Sequence, residues 1–419
     1  MSKTNFLELL KKETERIDGT KTSKRQEKII EGFTKDPAPQ AIIDGKKYRI
    51  FNSNDYLGLR FMPELRTAEH QASDTFGAGP GAVRFISGTM KVHVELEQAI
   101  AKFHHREAAI TFSSAFAANV AVIYCLIKGP SKDSMVEDNV LVISDELNHR
   151  SIIEGIRVGN LPKEQRAVFK HLDYQDLDRV LDENKGKFKR AVVLTDGIFS
   201  MLGECADLGK MHEVIKKYDN DFEQGVLLVV DDSHGVAAFG DGGRGCEDVT
   251  GEYSDLIVAT FGKGFGSDGG YAVGKKEMID YLREASATYI YSNPVSPSVA
   301  GASLASIKLL EDKKGKELLK RSKENIAYFK EKMKAAGFIF AVDSAHPIQP
   351  LLIGDPVKTK DLTNKLFDRG FLVTNINYPV VPKGKDEIRI QISAAHTKED
   401  LDYFLKNCIE AGRELGLIK

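Results

Sequence analysis

Five short apolar runs between residues 108 and 264 constrain the fold more than any other feature of the chain. Each run is rich in Val, Ile and Leu and lacks strict polar alternation, which is typical of strands buried on both faces. Helix-like patterns such as "VELEQAIAKFHH" and "DLGKMHEVIKKYDND" lie between or beside them. The runs are "AAITFSS", "NVLVISD", "RAVVLTDG", "GVLLVVDDSH" and "DLIVATFGKG". Their alternation with helices predicts an α/β fold with a mostly parallel central sheet.

The chain is predicted to have three parts. Residues 1–55 form a charged N-terminal segment, with an amphipathic helix in "MSKTNFLELLKKETERIDG" and a hairpin in "AIIDGKKYRIF" that turns at Asp44 and Gly45. Residues 56–297 form the large domain that contains the five apolar runs. Residues 298–419 form a smaller C-terminal α+β domain. In that domain a helical stretch, broken near "DKKGK", precedes "HPIQPLLIGD", "FLVTNINYP" and "EIRIQISAA", which alternate as a smaller mixed sheet would.

Composition and charge exclude several classes of function. The 419 residues carry a net charge of −2, which favours neither nucleic acid nor an anionic membrane as a partner. The N-terminal stretch lacks the apolar core of a signal peptide, and no apolar run reaches the roughly 18 residues of a membrane span. The four cysteines lie far apart and form neither a CxxC pair nor a disulfide pattern. We therefore expect a cytoplasmic protein without membrane segments.

Polar side chains follow each of the five apolar runs. In open α/β sheets, ligands bind outside the carboxyl ends of the strands. We therefore expect these polar groups to meet at one ligand site. They are Ser113 and Ser114, Asp145, Asp196, the residues from Asp231 to His234, and those from Thr260 to Lys263.

The glycine-rich stretch "DLIVATFGKGFGSDGGY" indicates which ligand this is. It lacks the phosphate-loop pattern GxxxxGK[ST], and the GxGxG in "GAGPGAVR" follows no clear strand, so a nucleotide is not indicated. A lysine in an open, shielded pocket can instead form a Schiff base with an aldehyde. Pyridoxal phosphate requires such a lysine, here Lys263, and a carboxylate beside its ring nitrogen, here Asp231. Thr260 and "SSAF" (113–116) are candidates for the phosphate, and His149 could stack on the ring.

From about residue 50 to the C-terminus, the chain resembles the α-oxoamine synthases. The similar blocks are "NSNDYLGL", "GAVRFISGTMKVHVELE", "SDELNHRSIIEGIR", "TDGIFSMLGECADL", "VVDDSHG", "TFGKG", "YSNPVSP" and "YPVVPKGKDEIRIQISAAHT". The resemblance implies a fold-type I, aminotransferase-like pyridoxal phosphate enzyme that condenses an amino acid with an acyl-CoA. One departure is "GKGFG" around Lys263, where the family usually has "GKALG".

The resemblance also implies roles for residues around the cofactor ring. Lys263 matches the Schiff-base lysine, and Asp231 matches the partner of the pyridine nitrogen. His234 matches the histidine that hydrogen-bonds the phenolic oxygen, and His149 matches the one that stacks on the ring. Ser200 lies near the phenolic oxygen and the substrate in the same comparison.

Other matched residues concern the phosphate and the substrate. Ala115 and Phe116 match backbone amides that hold the phosphate, and Thr260 matches a phosphate-binding hydroxyl. Ser292 and Asn293 match residues that reach the phosphate from the other subunit, which implies a homodimer with a shared active site. The substrate carboxylate is assigned to Arg389, helped by Asn54, and His93 is a further candidate for the pocket wall.

Within the family, "VRFISGT", "YPVVPKG" and "IRIQISAAHT" look most like the glycine C-acetyltransferases. That resemblance implies glycine and acetyl-CoA as substrates and 2-amino-3-oxobutanoate and CoA as products, in a reversible step of threonine degradation. An 8-amino-7-oxononanoate synthase, a 5-aminolevulinate synthase or a serine palmitoyltransferase-like enzyme stays open as an alternative. A non-catalytic subunit of the same fold is less favoured, because such subunits tend to lose the lysine that this chain keeps as Lys263.

Overall fold

The computed structural model describes residues 3–19, 25, 27–35, 38–378 and 380–419. The chain divides into two units, residues 1–49 and 50–419. In the first unit, helix α1 (Lys3–Gly19) precedes strands β1 (Gly32–Phe33), β2 (Ala41–Ile43) and β3 (Lys46–Ile50). β2 pairs antiparallel with both β1 and β3. Helix α1 confirms the predicted N-terminal helix. Asp44 and Gly45 have φ values of 48° and 69° and join the paired strands β2 and β3, which confirms the predicted hairpin.

The second unit contains the large sheet. Among the described residues, seven strands form it in the order β4-β10-β9-β8-β7-β5-β6. The strands are β4 (Ala108–Phe112), β5 (Val140–Asp145), β6 (Arg166–Phe169), β7 (Arg190–Asp196), β8 (Val226–Asp231), β9 (Leu256–Thr260) and β10 (Gly270–Gly274). Strands β5 to β9 pair parallel, and β10 runs antiparallel between β4 and β9. The predicted α/β fold with a mostly parallel sheet is confirmed.

Helices cover both faces of this sheet because successive strand residues point to opposite sides. Val192 and Val229 pack in one apolar cluster with the helix Ala115–Ile127. Val193 and Val230, the next residue on each strand, pack in another cluster with the helices Tyr174–Asn184 and Leu208–Tyr218. The helices of this part are α2 (Pro63–Phe76), α3 (Lys91–Phe103), α4 (Ala115–Ile127), α5 (Arg150–Gly159), α6 (Tyr174–Asn184), α7 (Leu208–Tyr218), α8 (Cys246–Thr250), α9 (Lys276–Ala285), α10 (Ala287–Ile290) and α11 (Pro297–Glu311).

The C-terminal part is built around a smaller sheet of order β11-β12-β15-β14. Its elements are α12 (Lys313–Ala335), β11 (Ile339–Phe340), β12 (Ile348–Leu352), α13 (Pro356–Asp368), β13 (Phe371–Leu372), β14 (Thr374–Ile376), β15 (Glu387–Gln391) and α14 (Lys398–Glu414). α11 and α12 are separated at Asp312, within the predicted break. All pairings in the sheet are antiparallel, so the expected mixed sheet was wrong. Parallel neighbours need long crossover connections, and β11 and β12 are joined by only a short loop.

The boundaries predicted at residues 55/56 and 297/298 stay predictions. No helix in the described part of the chain is long and apolar enough to cross a membrane. All four cysteines carry free thiols, and Cys125, Cys246 and Cys408 are buried.

Candidate active site

The carboxyl ends of β7, β8 and β9 open onto a cavity of about 290 Å³. Asp196, Asp231 and Thr260 are the last residues of these strands and belong to its wall. Of two further cavities of about 680 Å³, one shares Ser114 and Phe116 with this cavity and the other shares no residue with it, and neither is lined by an acid at the end of a sheet strand. The full lining is Asn54, Ser114, Ala115, Phe116, His149, Ser151, Asp196, Ile198, Ser200, Asp231, Ser233, His234, Thr260, Gly262, Lys263 and Asp268.

Most of the residues selected from the sequence meet at this cavity. Lining it are Asn54, Ala115, Phe116, His149, Ser200, Asp231, His234, Thr260 and Lys263. Arg389 adjoins it, since its Nη1 donates to the Ser200 carbonyl oxygen at 2.6 Å. Ser292 and Asn293 lie outside the lining, and Asn293 is exposed.

His93 does not line the cavity, contrary to the expectation. The side chain is fully buried, its Nδ1 accepts from Met90 N at 3.2 Å, and its Nε2 lies 2.9 Å from the Val295 carbonyl oxygen. These bonds attach the start of α3 to the segment before α11. His93 is therefore a buried structural histidine in this chain, which the sequence pattern alone does not distinguish from a pocket residue.

Lys263 lies in the glycine-rich loop after β9. Burial lowers the pKa of its amine, and the charges of Asp231 and Asp196 partly offset this effect. The backbone turns sharply here, with Gly266 N donating to the Lys263 carbonyl oxygen at 2.9 Å. A lowered amine pKa increases the fraction of neutral, nucleophilic lysine at physiological pH.

Asp231 and Asp196 end neighbouring parallel strands and lie opposite each other in register. Both Asp231 oxygens accept hydrogen bonds, from Asn119 Nδ2 at 2.5 Å and from Ser233 N at 3.0 Å, which suits an ionised carboxylate. Burial and the charge of Asp231 raise the pKa of Asp196 well above its usual value. With both oxygens held by donors, Asp231 is the acid of the pair that is placed to face a protonated ring nitrogen.

Sequence analysis missed Asn119, although a signal was present. Asn119 is an amide within the otherwise largely apolar helix segment "AFAANVAVIYCLI". It is buried, and its Nδ2 donates to Ser151 Oγ at 2.9 Å as well as to Asp231. A buried polar group in an apolar helix must find partners, and here those partners are site residues.

His149 is the N-cap of α5, where its ring is held by Ser151. Its Nδ1 lies 2.7 Å from Ser151 Oγ and accepts from Ser151 N at 3.3 Å. Burial lowers the pKa of the imidazole, with opposing effects of Asp231 and Lys263. Because Ser151 Oγ accepts from Asn119, its own proton is free to donate to Nδ1. The neutral ring is thereby oriented for stacking, with its proton on Nε2.

His234 is tied to two aromatic residues that sequence analysis did not select. Its Nδ1 lies 2.7 Å from the Tyr56 hydroxyl oxygen, and its carbonyl oxygen lies 2.8 Å from His346 Nε2. Burial, followed by the charge of Lys263, lowers the pKa of His234 well below its usual value. The imidazole is therefore neutral, with Tyr56 at its Nδ1 and His346 at the backbone carbonyl of the same residue.

The N-terminus of α4 lines the cavity with Ser114, Ala115 and Phe116. Ser114 is its N-cap and accepts from Ala117 N at 3.1 Å, while the N–H groups of Ala115 and Phe116 precede the first intrahelical bonds. A Cβ on Gly270 would lie 2.2 Å from Ala115 N, so glycine allows β10 to support this turn closely. Helix N-termini bind phosphate in this way. The Thr260 hydroxyl nearby donates to the Gly269 carbonyl oxygen at 2.9 Å.

Arg389 and Gln391 extend from β15 toward the same region. Gln391 Nε2 donates to Asn54 Oδ1 at 2.6 Å, and Arg389 binds the Ser200 carbonyl oxygen. The Asn54 carbonyl group is thereby fixed, and its amide N–H groups remain to face a ligand. A guanidinium with a fixed neighbouring amide suits a carboxylate.

The residues present fit pyridoxal phosphate. The buried amine of Lys263 suits the aldehyde, and the hydrogen-bonded carboxylate of Asp231 at a strand end suits the ring nitrogen. The neutral imidazole of His149 suits the ring face, and the N–H groups at the start of α4 suit the phosphate. The description "Aminotransferase class I and II" belongs to the family model that matches residues 46–407. The chain belongs to this family. Its cofactor is pyridoxal phosphate.

Known relatives of this aminotransferase-family enzyme narrow the group further. The 8-amino-7-oxononanoate synthase of Thermosipho melanesiensis is 41% identical over 379 residues, which cover 90% of this chain and 91% of the relative. That of Alkaliphilus metalliredigens is 34% identical over 422 residues and covers all of both chains. Serine palmitoyltransferase from S. paucimobilis, solved with a PLP–myriocin aldimine, is 28% identical with a TM-score of 0.87 over the whole of both chains.

These relatives are α-oxoamine synthases, and the enzyme is a member of that group. The predicted group and cofactor are therefore confirmed. The narrower expectation of a glycine C-acetyltransferase is not reflected in these relatives, which favour one of the alternatives instead.

Proposed function

We propose that the enzyme is an 8-amino-7-oxononanoate synthase. The observation that carries the proposal is the identity of 34–41% to synthases of that name over 90% or more of the chain. The chemistry of the cavity is common to all α-oxoamine synthases, so it supports the reaction type rather than the choice of acyl chain.

The structure of the product defines the substrates. 8-Amino-7-oxononanoate has nine carbons, with the amine on C8 and the ketone on C7. Carbons 8 and 9 with the nitrogen correspond to alanine without its carboxylate. Carbons 1 to 7 correspond to a heptanedioyl group delivered as a thioester. The proposed reaction therefore joins alanine to heptanedioyl-CoA and releases CoA and carbon dioxide.

Each side chain has a role that follows from its surroundings. Bound pyridoxal phosphate supplies an electron sink for the pair of electrons left on the amino acid's Cα. Lys263 would hold the cofactor aldehyde, and burial lowers the pKa of its amine, which suits the free amine to taking the Cα proton. Asp231 keeps the ring nitrogen protonated, with Asn119 and Ser233 holding its carboxylate. Arg389 binds the amino-acid carboxylate and Asn54 assists it.

The cofactor's other groups are assigned as the sequence predicted. His149 packs on the ring and His234 donates to the phenolic oxygen, near Ser200. The phosphate is held by the N–H groups of Ala115 and Phe116 and by Thr260, whose hydroxyl must then release the Gly269 carbonyl oxygen.

A second copy of the chain completes the proposed site. Ser292 and Asn293 lie outside the cavity of their own chain, which is consistent with a role at the phosphate of a partner. Large apolar side chains are exposed in this region. Tyr291, next to Ser292, is 81% exposed, and Phe85 and Ile86, in a turn that contacts α10, are 65% and 66% exposed. Covering these side chains would favour a homodimer.

Glycine and acetyl-CoA remain the second candidate pair. The blocks "VRFISGT", "YPVVPKG" and "IRIQISAAHT" favour it by resemblance. The product, 2-amino-3-oxobutanoate, keeps the carboxylate of glycine until it leaves the enzyme and suits a role in cytoplasmic threonine degradation. The two candidates therefore differ in amino acid, in acyl length and in whether carbon dioxide is released as part of the reaction.

The experiment that tests the proposal crosses two amino acids with two thioesters. Purified holoenzyme is given alanine or glycine with heptanedioyl-CoA or acetyl-CoA, and free CoA thiol is measured. The fastest release with alanine and heptanedioyl-CoA supports the proposal. Fastest release with glycine and acetyl-CoA supports the second candidate instead. Lys263→Ala protein is the control for thiol release without catalysis, and serine with longer acyl-CoAs tests the remaining family members.

A further inference from the structure

Glu387, Arg389 and Gln391 occupy one face of β15. Ile388 and Ile390 point the other way, into the apolar core of the C-terminal part. Arg389 and Gln391 both contact residues of the cavity wall, namely Ser200 and Asn54. Glu387 is thus the next side chain on the face that borders the proposed carboxylate site.

Glu387 is a buried acid without hydrogen bonds. Its side chain has 0% exposure, and neither carboxyl oxygen has a hydrogen-bond partner among the described residues. Arg389 Nε is likewise unpaired within the described part of the chain. The residues opposite Glu387 in register are apolar, Leu352 on β12 and Ile376 on β14. A carboxylate left in such surroundings is costly unless it is neutral or balanced by a nearby charge.

The charged groups that act on Glu387 are Arg389 and Glu204. Burial raises the pKa of Glu387 to about 8, with Arg389 lowering it and Glu204 raising it. Glu204 lies in the loop after Ser200 and accepts from His171 Nε2 at 3.0 Å. The acid therefore titrates close to physiological pH, between one fixed cation and one further carboxylate.

The neighbouring charges are already balanced without Glu387. His171 Nδ1 lies 3.0 Å from Asp145 Oδ1, so one imidazole joins Asp145 and Glu204. Burial alone would lower the pKa of His171, but these hydrogen bonds raise it to about 9, so the ring is protonated at neutral pH. One cation thus serves two carboxylates, and Arg389 is the second cation. Ionised Glu387 therefore brings this group to a net charge of −1, and a substrate carboxylate would add a second uncompensated negative charge.

We propose that Glu387 takes up a proton from solvent when the amino-acid carboxylate binds Arg389. This inference rests on the proposed function, because it takes Arg389 as the carboxylate-binding group. Glu387 is then a positioning residue: ionised, its charge offsets that of the unoccupied guanidinium, and protonated, it leaves that charge to the substrate. Above the pH at which Glu387 ionises, binding of the substrate requires protonation of Glu387. The affinity for the amino acid therefore falls as the pH rises.

The test compares wild-type holoenzyme with Glu387→Gln, which imitates the protonated acid. The Kd of alanine and of glycine is measured from the change in cofactor absorbance between pH 6.5 and 9.5. One linked proton gives up to about a tenfold change in Kd per pH unit. We expect the ratio of wild-type to Glu387→Gln Kd to rise by up to about tenfold per unit above pH 8 and to level off below pH 7.

Calorimetry in two buffers of different ionisation enthalpy measures the same proton directly. At pH 8 the wild type should take up more protons per bound amino acid than Glu387→Gln. Asp386→Asn, which changes the adjacent buried acid, should keep the wild-type pH profile. If Glu387→Gln fails to hold cofactor, Glu387→Leu supplies the same comparison.

The outcomes separate the two proposals. Parallel pH profiles and equal proton uptake in the wild type and Glu387→Gln overturn the role of Glu387 while leaving the proposed function intact. A wild-type enzyme whose cofactor absorbance responds to no amino acid overturns the proposed function and this inference with it.

Discussion

The hydroxyl oxygen of Tyr56 lies 2.7 Å from Nδ1 of His234, across 178 positions of sequence. Burial raises the pKa of Tyr56, so the phenol keeps its proton. The Asn54 Oδ1 atom is a more distant acceptor for it, at 3.2 Å, and already receives Gln391 Nε2. Tyr56 therefore donates to Nδ1, and the neutral His234 ring carries its proton on Nε2, where it can donate toward the cofactor's phenolic oxygen.

Tyr56→Phe should remove the hydrogen bond that fixes the tautomer of His234. We expect about a tenfold loss of kcat, the equivalent of roughly 1.4 kcal/mol, and a shifted pH titration of the cofactor absorbance in the holoenzyme. Tyr378→Phe, at an exposed tyrosine, is the matched control. A titration curve identical to the wild type would show that Tyr56 has only a packing role.

Lys263→Ala should abolish the covalent link between enzyme and cofactor. Lys263 is the lysine that lines the cavity, and the charges of Asp231 and Asp196 act on its amine. The expected result is loss of the absorbance of lysine-bound cofactor and of any borohydride-reducible linkage. Lys275→Ala, at an exposed lysine, should keep both. A reducible linkage in Lys263→Ala protein would move the Schiff base to a different lysine.

Asp231→Asn and Asp196→Asn should have unequal effects, although the two acids lie side by side. Asp231 accepts two hydrogen bonds suited to a charged carboxylate, whereas the raised pKa of Asp196 favours its protonated form, which an amide imitates. We expect kcat to fall by about a hundredfold or more for Asp231→Asn, since acid–base partners contribute on this scale, with cofactor still bound. The loss for Asp196→Asn should be smaller. Equal losses of kcat in the two variants would contradict the assignment of the ionised carboxylate to Asp231.

The strand pattern predicted the residues that end its strands, and the family resemblance added Arg389 and Asn54. Both missed Asn119, Tyr56 and Gln391, which reach the site by tertiary contact. Asp231 and Thr260 could be found because each ends an apolar run, and parallel strands end on one edge. Gln391 meets Asn54 across 337 positions, and no local pattern encodes such a pairing. Strand β10 was missed because a glycine at each end leaves only three residues of "GYAVG" to form an apolar run.

The acyl donor could not be predicted from the site for a related reason. Residues such as Lys263 and Asp231 suit the chemistry of the cofactor, and every member of the family uses the same cofactor. Resemblance in a few blocks favoured acetyl-CoA, whereas identity over the whole chain favours a longer acyl group.

His171→Gln should lower stability in a pH-dependent way. The folded pKa of about 9 lies above the ordinary value of 6.5, because hydrogen bonds to Asp145 and Glu204 outweigh burial. A raised pKa of this kind stabilises the fold fully below pH 6.5, and the contribution is lost as pH rises through 9. The shift corresponds to roughly 3 kcal/mol at most. Denaturant unfolding of the holoenzyme at pH 6 and 9.5 measures it.

The wild-type advantage over His171→Gln in free energy of unfolding should therefore shrink by up to about 3 kcal/mol from pH 6 to 9.5. His212→Gln is the control, since His212 Nε2 lies 2.7 Å from a carbonyl oxygen, that of Tyr253, rather than between two carboxylates. An advantage of His171 that is the same at both pH values would mean that the ring stabilises the loop by packing on Phe199, with its centroid 4.4 Å away, and not by its charge. That outcome would also remove one cation from the cluster around Glu387, so this measurement bears on the proton balance of substrate binding.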